Sequence, residues 1–333
     1  MRVRLLVLSF ALALMSYSDA NAQSKVGTTA AGFLQIGVGA RGVSMGETAV
    51  ATGRDLSSLY WNPALAADLR GGAVQFSNTQ WFAGIDLNYG AAMLDLGTAG
   101  KVAVSAYAMT TGEMDVITEE RVDGTGEVFR VQDIMFGLTY SRRLTDRFNI
   151  GGTAKYVTSQ VWNMSASSMA VDVGLTYRTP FDRVVLGMAI TNFGTEMQLD
   201  GTDTAVRVDL DPRVRGNNDG IVANIRTGNW DLPVAFRFGA AYELMNTRAN
   251  QLTVSADALY PNNNESYLNA GLEYGIMELL YLRGGYRQLF LADAEGGLSL
   301  GTGLAYRGLQ ADYAFVDRGR LGGVQYVSVG FSF

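Results

Sequence analysis

The sequence predicts an all-β fold, a transmembrane antiparallel β-barrel of about fourteen strands with a small N-terminal plug. Three observations carry this expectation. From about residue 73 onward apolar residues recur at every second position. The links between the alternating segments are short and long by turns. Forty glycines, sixteen tyrosines and fifteen phenylalanines against five prolines suit a sheet with many tight backbone approaches better than a soluble enzyme.

The first residues carry Arg2 and Arg4, an apolar core from Leu5 to Met15, and Ala20-Asn21-Ala22 as a small-residue cleavage site. This reads as a secretory signal peptide over residues 1–22, cut before Gln23. Its apolar run is too short to span a bilayer, and no later stretch reaches the roughly 18 uninterrupted apolar residues a membrane helix requires. Without the leader, 24 basic residues face 31 acidic ones, and nucleic acid is an unsuitable partner for that balance. With no cysteine there are no disulfides, so stability rests on burial and backbone hydrogen bonds, for which about 310 residues are ample.

The period of two is clear in several places. In the stretch at 166–179, Met169, Val171, Val173, Leu175 and Tyr177 form one set, while Ala170, Asp172, Gly174, Thr176 and Arg178 form the other. Around 234–243, Val234, Phe236, Phe238, Ala240 and Tyr242 alternate with Ala235, Arg237, Gly239, Ala241 and Glu243. One face is apolar and the other small or charged. About fourteen such segments follow, near 73–78, 86–95, 101–112, 130–143, 148–162, 168–179, 183–193, 232–243, 251–260, 266–276, 279–290, 297–307, 309–317 and 324–333.

Alternation alone suits a soluble sandwich equally well; the links decide. Short ones, such as LTDR, TPFD and RG, follow the even segments, while long ones, near 112–129 and 194–231, follow the odd. Short turns at one rim and long loops at the other is the pattern of an outer-membrane barrel. In hydrocarbon every backbone N–H and C=O must be paired, which a sheet achieves only by closing on itself. An even strand number then puts both termini on one side, with the short turns, and so places the segment before the barrel on that periplasmic side. Tyr140, Tyr177, Tyr242, Tyr260 and Tyr306 at segment ends fit an aromatic girdle facing outer-membrane lipid. The last alternating set, Val327, Val329, Phe331 and Phe333, resembles the terminal strand that the barrel-assembly machinery reads.

Residues 23–72 do not alternate, which divides the chain into leader 1–22, plug 23–72 and barrel 73–333. The plug is small and Gly/Ala-rich; Asp55 is placed to N-cap a short helix through LSSLYW that Pro63 ends. Within it GVGARGVSMG satisfies two catalytic patterns, since Gly37, Gly39 and Gly42 spell G-x-G-x-x-G and Gly42, Ser44 and Gly46 spell G-x-S-x-G. A nucleotide loop requires a βαβ unit, and none follows Gly42. A hydrolase elbow requires a base, and the chain has no histidine and no cysteine. No enzyme activity and no cofactor is expected. The glycines instead suit a plug backbone passing close to the barrel wall. Arg41 is open to two readings, paired with an inward carboxylate or solvated.

The stretch from Gly32 to Ala67 resembles the N-terminal signature of PorV/PorQ-type proteins, relatives of the FadL fatty-acid transporter fold. Gly39, Arg41, Gly42, Met45 and Gly46 carry the match, together with Trp61, Asn62 and Pro63. A glycine commonly follows Asn-Pro-Ala in that signature, where this chain has Leu65. The resemblance implies an outer-membrane accessory of type IX secretion that binds exported cargo through its outer loops and aids its surface attachment. Type IX components and cargo proteins are its implied partners. The alternative is a FadL-like channel for fatty acids or other hydrophobic molecules, which a continuous apolar lumen lining would favour.

With the apolar set toward lipid, Asp172, Arg237, Glu243, Asp257, Arg283, Arg287 and Asp312 face the lumen. There they form either a mutually neutralising network that holds the plug or the lining of a solute path. Asp200, Asp203, Asp209, Asp211 and Asp219 cluster in the longest loop, and carboxylates can hold calcium; their spacing matches no EF-hand, and a solvated loop is the ordinary explanation.

Overall fold

The computed structural model describes residues 26–119, 121–180, 183–209, 213, 220–291, 294 and 296–333. The leader falls outside them, as do Asp211 and Asp219 of the acidic loop.

Because the side-chain period is two from residue 73 on, the chain folds as consecutive antiparallel strands. They are β1 (Ala73–Gln80), β2 (Asp86–Asp95), β3 (Lys101–Thr110), β4 (Val131–Thr145), β5 (Phe148–Val161), β6 (Met164–Arg178) and β7 (Val184–Gly194). After the long excursion come β8 (Ala235–Asn246), β9 (Asn250–Pro261), β10 (Tyr267–Ile276), β11 (Leu280–Leu289), β12 (Leu298–Tyr306), β13 (Leu309–Asp317) and β14 (Gly323–Ser332). Each pairs with its sequence neighbour, and β1 pairs with β14 from Ala73↔Ser332 to Gln80↔Gln325. The fourteen strands therefore close into a ring with no free edge. The two-residue strand Asp200–Gly201 is an appendage on β6.

The apolar set points outward. Met169, Val171 and Val173 are exposed on β6, as are Leu298, Leu300 and Leu304 on β12, which is the placement hydrocarbon requires. All five girdle tyrosines are exposed, with Tyr140, Tyr177, Tyr242 and Tyr306 toward the short-turn ends of their strands and Tyr260 toward the long-loop end. Val327, Val329 and Phe331 lie on the outer face of β14, and Phe333, just past its end, stacks on Phe331 with ring centroids 6.2 Å apart.

The plug occupies the lumen. Among the described residues its regular pieces are Ala40–Ser44 and Ser58–Trp61, short helices flanked by 3-10 turns at Gly32–Gln35 and Pro63–Asp68. The helix at Ser58 does end before Pro63, but Asp55 is no side-chain cap. Its Oδ1 accepts from the Ser57 hydroxyl, and the N-cap Ser57 makes no capping bond. Asn62 caps the following turn instead, accepting from the Ala64 N–H at 3.0 Å, so the turn forms without a glycine at 65.

The first and last strands do meet at the short-turn rim, but the expectation that both termini lie on that side needs correcting for the N-terminal segment. The plug starts at the opposite mouth: the Ala30 N–H donates to the carbonyl of Asp231, and Asn263 in the loop after β9 donates to Thr29. From there the chain descends the lumen, reaching the short-turn rim where Asp68 meets Arg143 and Arg178. Irregular backbone inside a barrel needs partners, and the wall supplies them. Ser328 Oγ accepts from the Ala40 N–H at 2.9 Å, Asp257 from Val50 at 3.0 Å and Gln75 from Ser57 at 3.1 Å.

Candidate functional site

The lumen is built by two complementary surfaces, plug and inward wall. They meet as an apolar layer in which Phe33, Leu34 and Trp61 of the plug pack with Leu87, Tyr89, Tyr107 and Met135 toward the long-loop end of the wall and with Met93 toward its short-turn end. Each large side chain removed from water there contributes about 1.5–3 kcal/mol. Polar tips are satisfied across the same surface. Trp61 Nε1 donates to Val38 at 3.0 Å, Tyr60 to Leu34 at 2.8 Å and Tyr107 to Ile36 at 3.0 Å.

Deeper in, charges join plug to wall. Arg41, 3% exposed, makes a bidentate pair with Glu273, Nε and Nη2 each at 2.9 Å, and donates Nη1 to the Thr52 carbonyl. Burial disfavours the Arg41 charge, but the Glu273 carboxylate more than offsets this and holds its pKa above the ordinary value. Glu273 lies opposite Arg283 across the β10–β11 ladder and accepts from it at 2.7 Å; Arg283 then reaches Asp312 at 2.6 Å. The result is a continuous chain of alternating charges from β13 through β11 and β10 into the plug.

A second knot sits in the wall. Lys155 lies 2.6 Å from Asp172 and donates to Asn192 at 2.8 Å, and Asp172 accepts from the Asn192 N–H at 2.7 Å. Here the β6–β7 register slips between Val171 and Val173, and Asn192 takes a φ of +61°. A third group surrounds Glu47, which stands on a left-handed turn 3.6 Å from both Arg287 and Arg318. Burial raises the Glu47 pKa, with Arg318 and Arg237 drawing it back. Arg237 has no hydrogen-bond partner for Nε or Nη1 and lies over the Trp61 ring, 5.1 Å from its centroid.

All seven charges expected in the lumen lie on inward positions. Asp172, Arg237, Asp257, Arg283 and Asp312 are buried, Arg287 is half-buried, and Glu243 sits at the short-turn mouth, 3.5 Å from Arg54. Of the two readings of Arg41, pairing is the observed one. The expectation for the motif glycines needs correcting. Only Gly46 abuts the wall, where a Cβ would fall 2.6 Å from the Tyr286 nitrogen. Gly42 packs on Trp61 and Gly39 on Ser57, so these two serve the folding of the plug on itself. The close approach to the wall is made chiefly by wall glycines. Gly151 faces Pro63, Gly174 faces Asn62, Gly187 faces Val50, and Gly271 and Gly285 face Met45.

Four buried partners of these charges, Glu273, Lys155, Glu47 and Arg318, lie outside the expected set. Glu273, between outward Leu272 and Tyr274, and Lys155, between Ala154 and Tyr156, follow from the same alternation that placed the others. Glu47 and Arg318 lie in irregular segments with no period to reveal them.

At the short-turn mouth a vestibule of ≈ 1100 Å³ opens between plug and wall, lined by both signs of charge, among them Arg54, Asp55, Asp68, Arg147, Arg178 and Glu243. At the other mouth the long loops add small ribbons of their own. Met114–Asp115 pairs with Val128–Phe129, Met197–Gln198 with Asn229–Trp230, and Ala205–Val208 with Ile221–Asn224. Among the described residues no group of three acidic side chains is arranged to hold a metal ion; Asp200, Asp203 and Asp209 form no such group.

Solved structures share this architecture. The Pseudomonas putida toluene transporter TodX aligns with TM-score 0.54 and 13% identity, over 88% of this chain and 96% of that one. The Ralstonia pickettii toluene transporter TbuX gives 0.54 and 12%, over 89% and 98%. A Pseudomonas aeruginosa FadL homologue gives 0.52 and 13%, over 89% and 98%. At such identities the likeness establishes the fold, a plugged FadL-like outer-membrane barrel. No curated protein matches the sequence. Residues 19–260 match the family described as type IX secretion system protein PorV, and the chain belongs to that family.

Proposed function

We propose that this barrel is a non-catalytic accessory of type IX secretion that binds exported proteins through its long-loop face and aids their attachment to the cell surface. The carrying observation is the family match together with a lumen packed by the chain's own plug, which leaves the outer loops as the working surface. The ribbons at Met114–Asp115 with Val128–Phe129 and Ala205–Val208 with Ile221–Asn224 support it, because they stiffen loops that would otherwise be expensive to order on binding. Deleting the gene is expected to leave type IX cargo unattached at the surface, and the wild-type gene to restore it. A version with residues 114–129 replaced by a short turn is expected to assemble in the membrane without restoring display. Unchanged display in the deletion strain rejects this reading.

One observation favours the hydrophobic-channel alternative. The wall facing the apolar part of the plug carries Leu87, Tyr89, Met93, Met135 and Val157, a lining suited to a hydrophobic guest if the plug withdraws. Native mass spectrometry after soaking with fatty acids and monoaromatic hydrocarbons separates the two readings. A retained ligand together with an uptake defect in the deletion strain selects the channel.

A further inference from the structure

At the outer end of the lumen, buried donors outnumber acceptors. Arg237 on β8 is 6% exposed, yet among the described residues its Nε and Nη1 have no hydrogen-bond partner. Arg287 on β11 and Arg318, just past β13, are likewise unpartnered at Nε. On the strands that flank Arg287, Asn269 of β10 and Ser299 of β12 are fully buried, and neither Nδ2 of the first nor Oγ of the second is bonded. All of these residues stand at the long-loop ends of their strands, on one arc of the wall from β8 to β13. A buried donor without an acceptor is costly, and native proteins seldom keep several together.

The charges are as unbalanced as the hydrogen bonds. Arg287 and Arg318 both approach Oε1 of Glu47 at 3.6 Å, long for a hydrogen bond, and Arg237 is near enough to act on the same carboxylate. The next inward acid on the wall is Asp257, opposite Gly239 in the β8–β9 ladder, with its Oδ2 taken by the Val50 N–H. Three guanidiniums thus face two carboxylates, an excess of one positive charge where unpaired charge is destabilising. The remaining lumen pairs cannot offset it. Arg41 and Arg283 are matched by Glu273 and Asp312, and Lys155 by Asp172.

The other neighbours of the group are aromatic. Arg237 lies 5.1 Å from the Trp61 ring centroid and Arg318 4.9 Å from that of Trp81. These rings favour a cation but carry no negative charge. The free donors are single N–H and O–H groups on separate strands, rather than the forked pair that recognises an oxyanion. A weakly hydrated, spherical anion of one charge suits them better than a phosphate, which holds its water more strongly.

We propose that this group binds a halide ion taken from the medium, which neutralises Arg237, Arg287 and Arg318 and thereby pins the Glu47 turn of the plug to the wall. The inference does not rest on the secretion reading and survives its failure. The test follows the temperature at which the full chain in detergent micelles loses heat-modifiable migration, with sodium chloride exchanged for sodium gluconate or sodium phosphate at constant ionic strength. Chloride is expected to raise the midpoint saturably, and the other two salts to leave it unchanged. Arg237→Gln should weaken the apparent chloride affinity about ten-fold, the loss of a charge-assisted hydrogen bond. Ser299→Asp supplies the missing negative charge within the chain, and is expected to melt at one temperature in chloride and in gluconate. Heat-modifiable migration before heating confirms that each variant is folded. Crystals grown in sodium bromide should show an anomalous peak in contact with the Arg237 and Arg287 guanidiniums. A midpoint indifferent to chloride, an equal rise in phosphate, an undiminished chloride response in Arg237→Gln, or water alone at the Arg237 guanidinium in the bromide crystals would each overturn the proposal.

Discussion

Arg41 brings a full charge into a lumen where it is 3% exposed, and it is tolerable there only because Glu273 meets it with two parallel hydrogen bonds. Removing the guanidinium strands a carboxylate that Arg283 alone must then satisfy. Arg41→Ala is expected to cost about 3–5 kcal/mol, read as a lowered urea midpoint of the barrel in lipid vesicles. Arg41→Lys recovers the charge but not the fork, and is expected to fall between wild type and the alanine variant. Adding Glu273→Leu to Arg41→Met should cost less than the two single changes summed, the mark of a direct pair. The inward side of Glu273 was legible from the alternation of its neighbours, as it was for Asp172 and Arg283. Its partner in the plug was not, because Arg41 lies in a segment without a period and nothing in the sequence measures the distance across a lumen.

The strands themselves were largely legible, since period two survives wherever lipid wets one face and plug the other. The segment expected near 309–317 is β13, Leu309–Asp317, and that near 86–95 is β2, Asp86–Asp95. Ends drifted where the outward face turns polar, as on β6, which begins at Met164 rather than near 168 because Ser165 and Ser167 continue the ladder. The two-residue ribbons in the loops are too short to carry any period. The role of the inward glycines was half visible. They appear on the non-lipid face of several segments, but only the packed lumen shows why, since a Cβ on Gly285 would lie 2.1 Å from the Met45 carbonyl carbon. Backbone cannot yield there as a flexible side chain would. Gly285→Ala is therefore expected to displace the turn at Met45 and Gly46, giving raised conductance in planar bilayers and faster trypsin cleavage after Arg54, with the barrel still heat-modifiable. Gly90→Ala, at an outward position with nothing within 4 Å, is the matched control and is expected to change neither. Equal behaviour of the two variants would mean that the plug is not seated by close approach to the wall.

At the scale of the whole molecule, the unexpected feature is the direction in which the plug runs. Strand parity fixes where a barrel's first and last strands end, and Ala73 and Ser332 do pair at the short-turn rim. Parity says nothing about a segment that precedes the first strand, and this one begins at the far mouth, with Ala30 bonded to Asp231 and Thr29 to Asn263. Asp231 and Asn263 belong to the connections after β7 and β9, on the long-loop side, so the start of the described chain faces the cell exterior. The absence of cysteine makes this directly measurable, because a single introduced thiol reports without background. Val26→Cys, at a position 66% exposed, is expected to react on intact cells with a maleimide that cannot cross the outer membrane. Arg147→Cys, in the short turn between β4 and β5, is expected to react only after that membrane is permeabilised. The opposite pattern would invert the barrel. Labelling of both positions only after permeabilisation would show that the plug enters from the short-turn side, and the contacts of Ala30 and Asn263 would have to be abandoned with it.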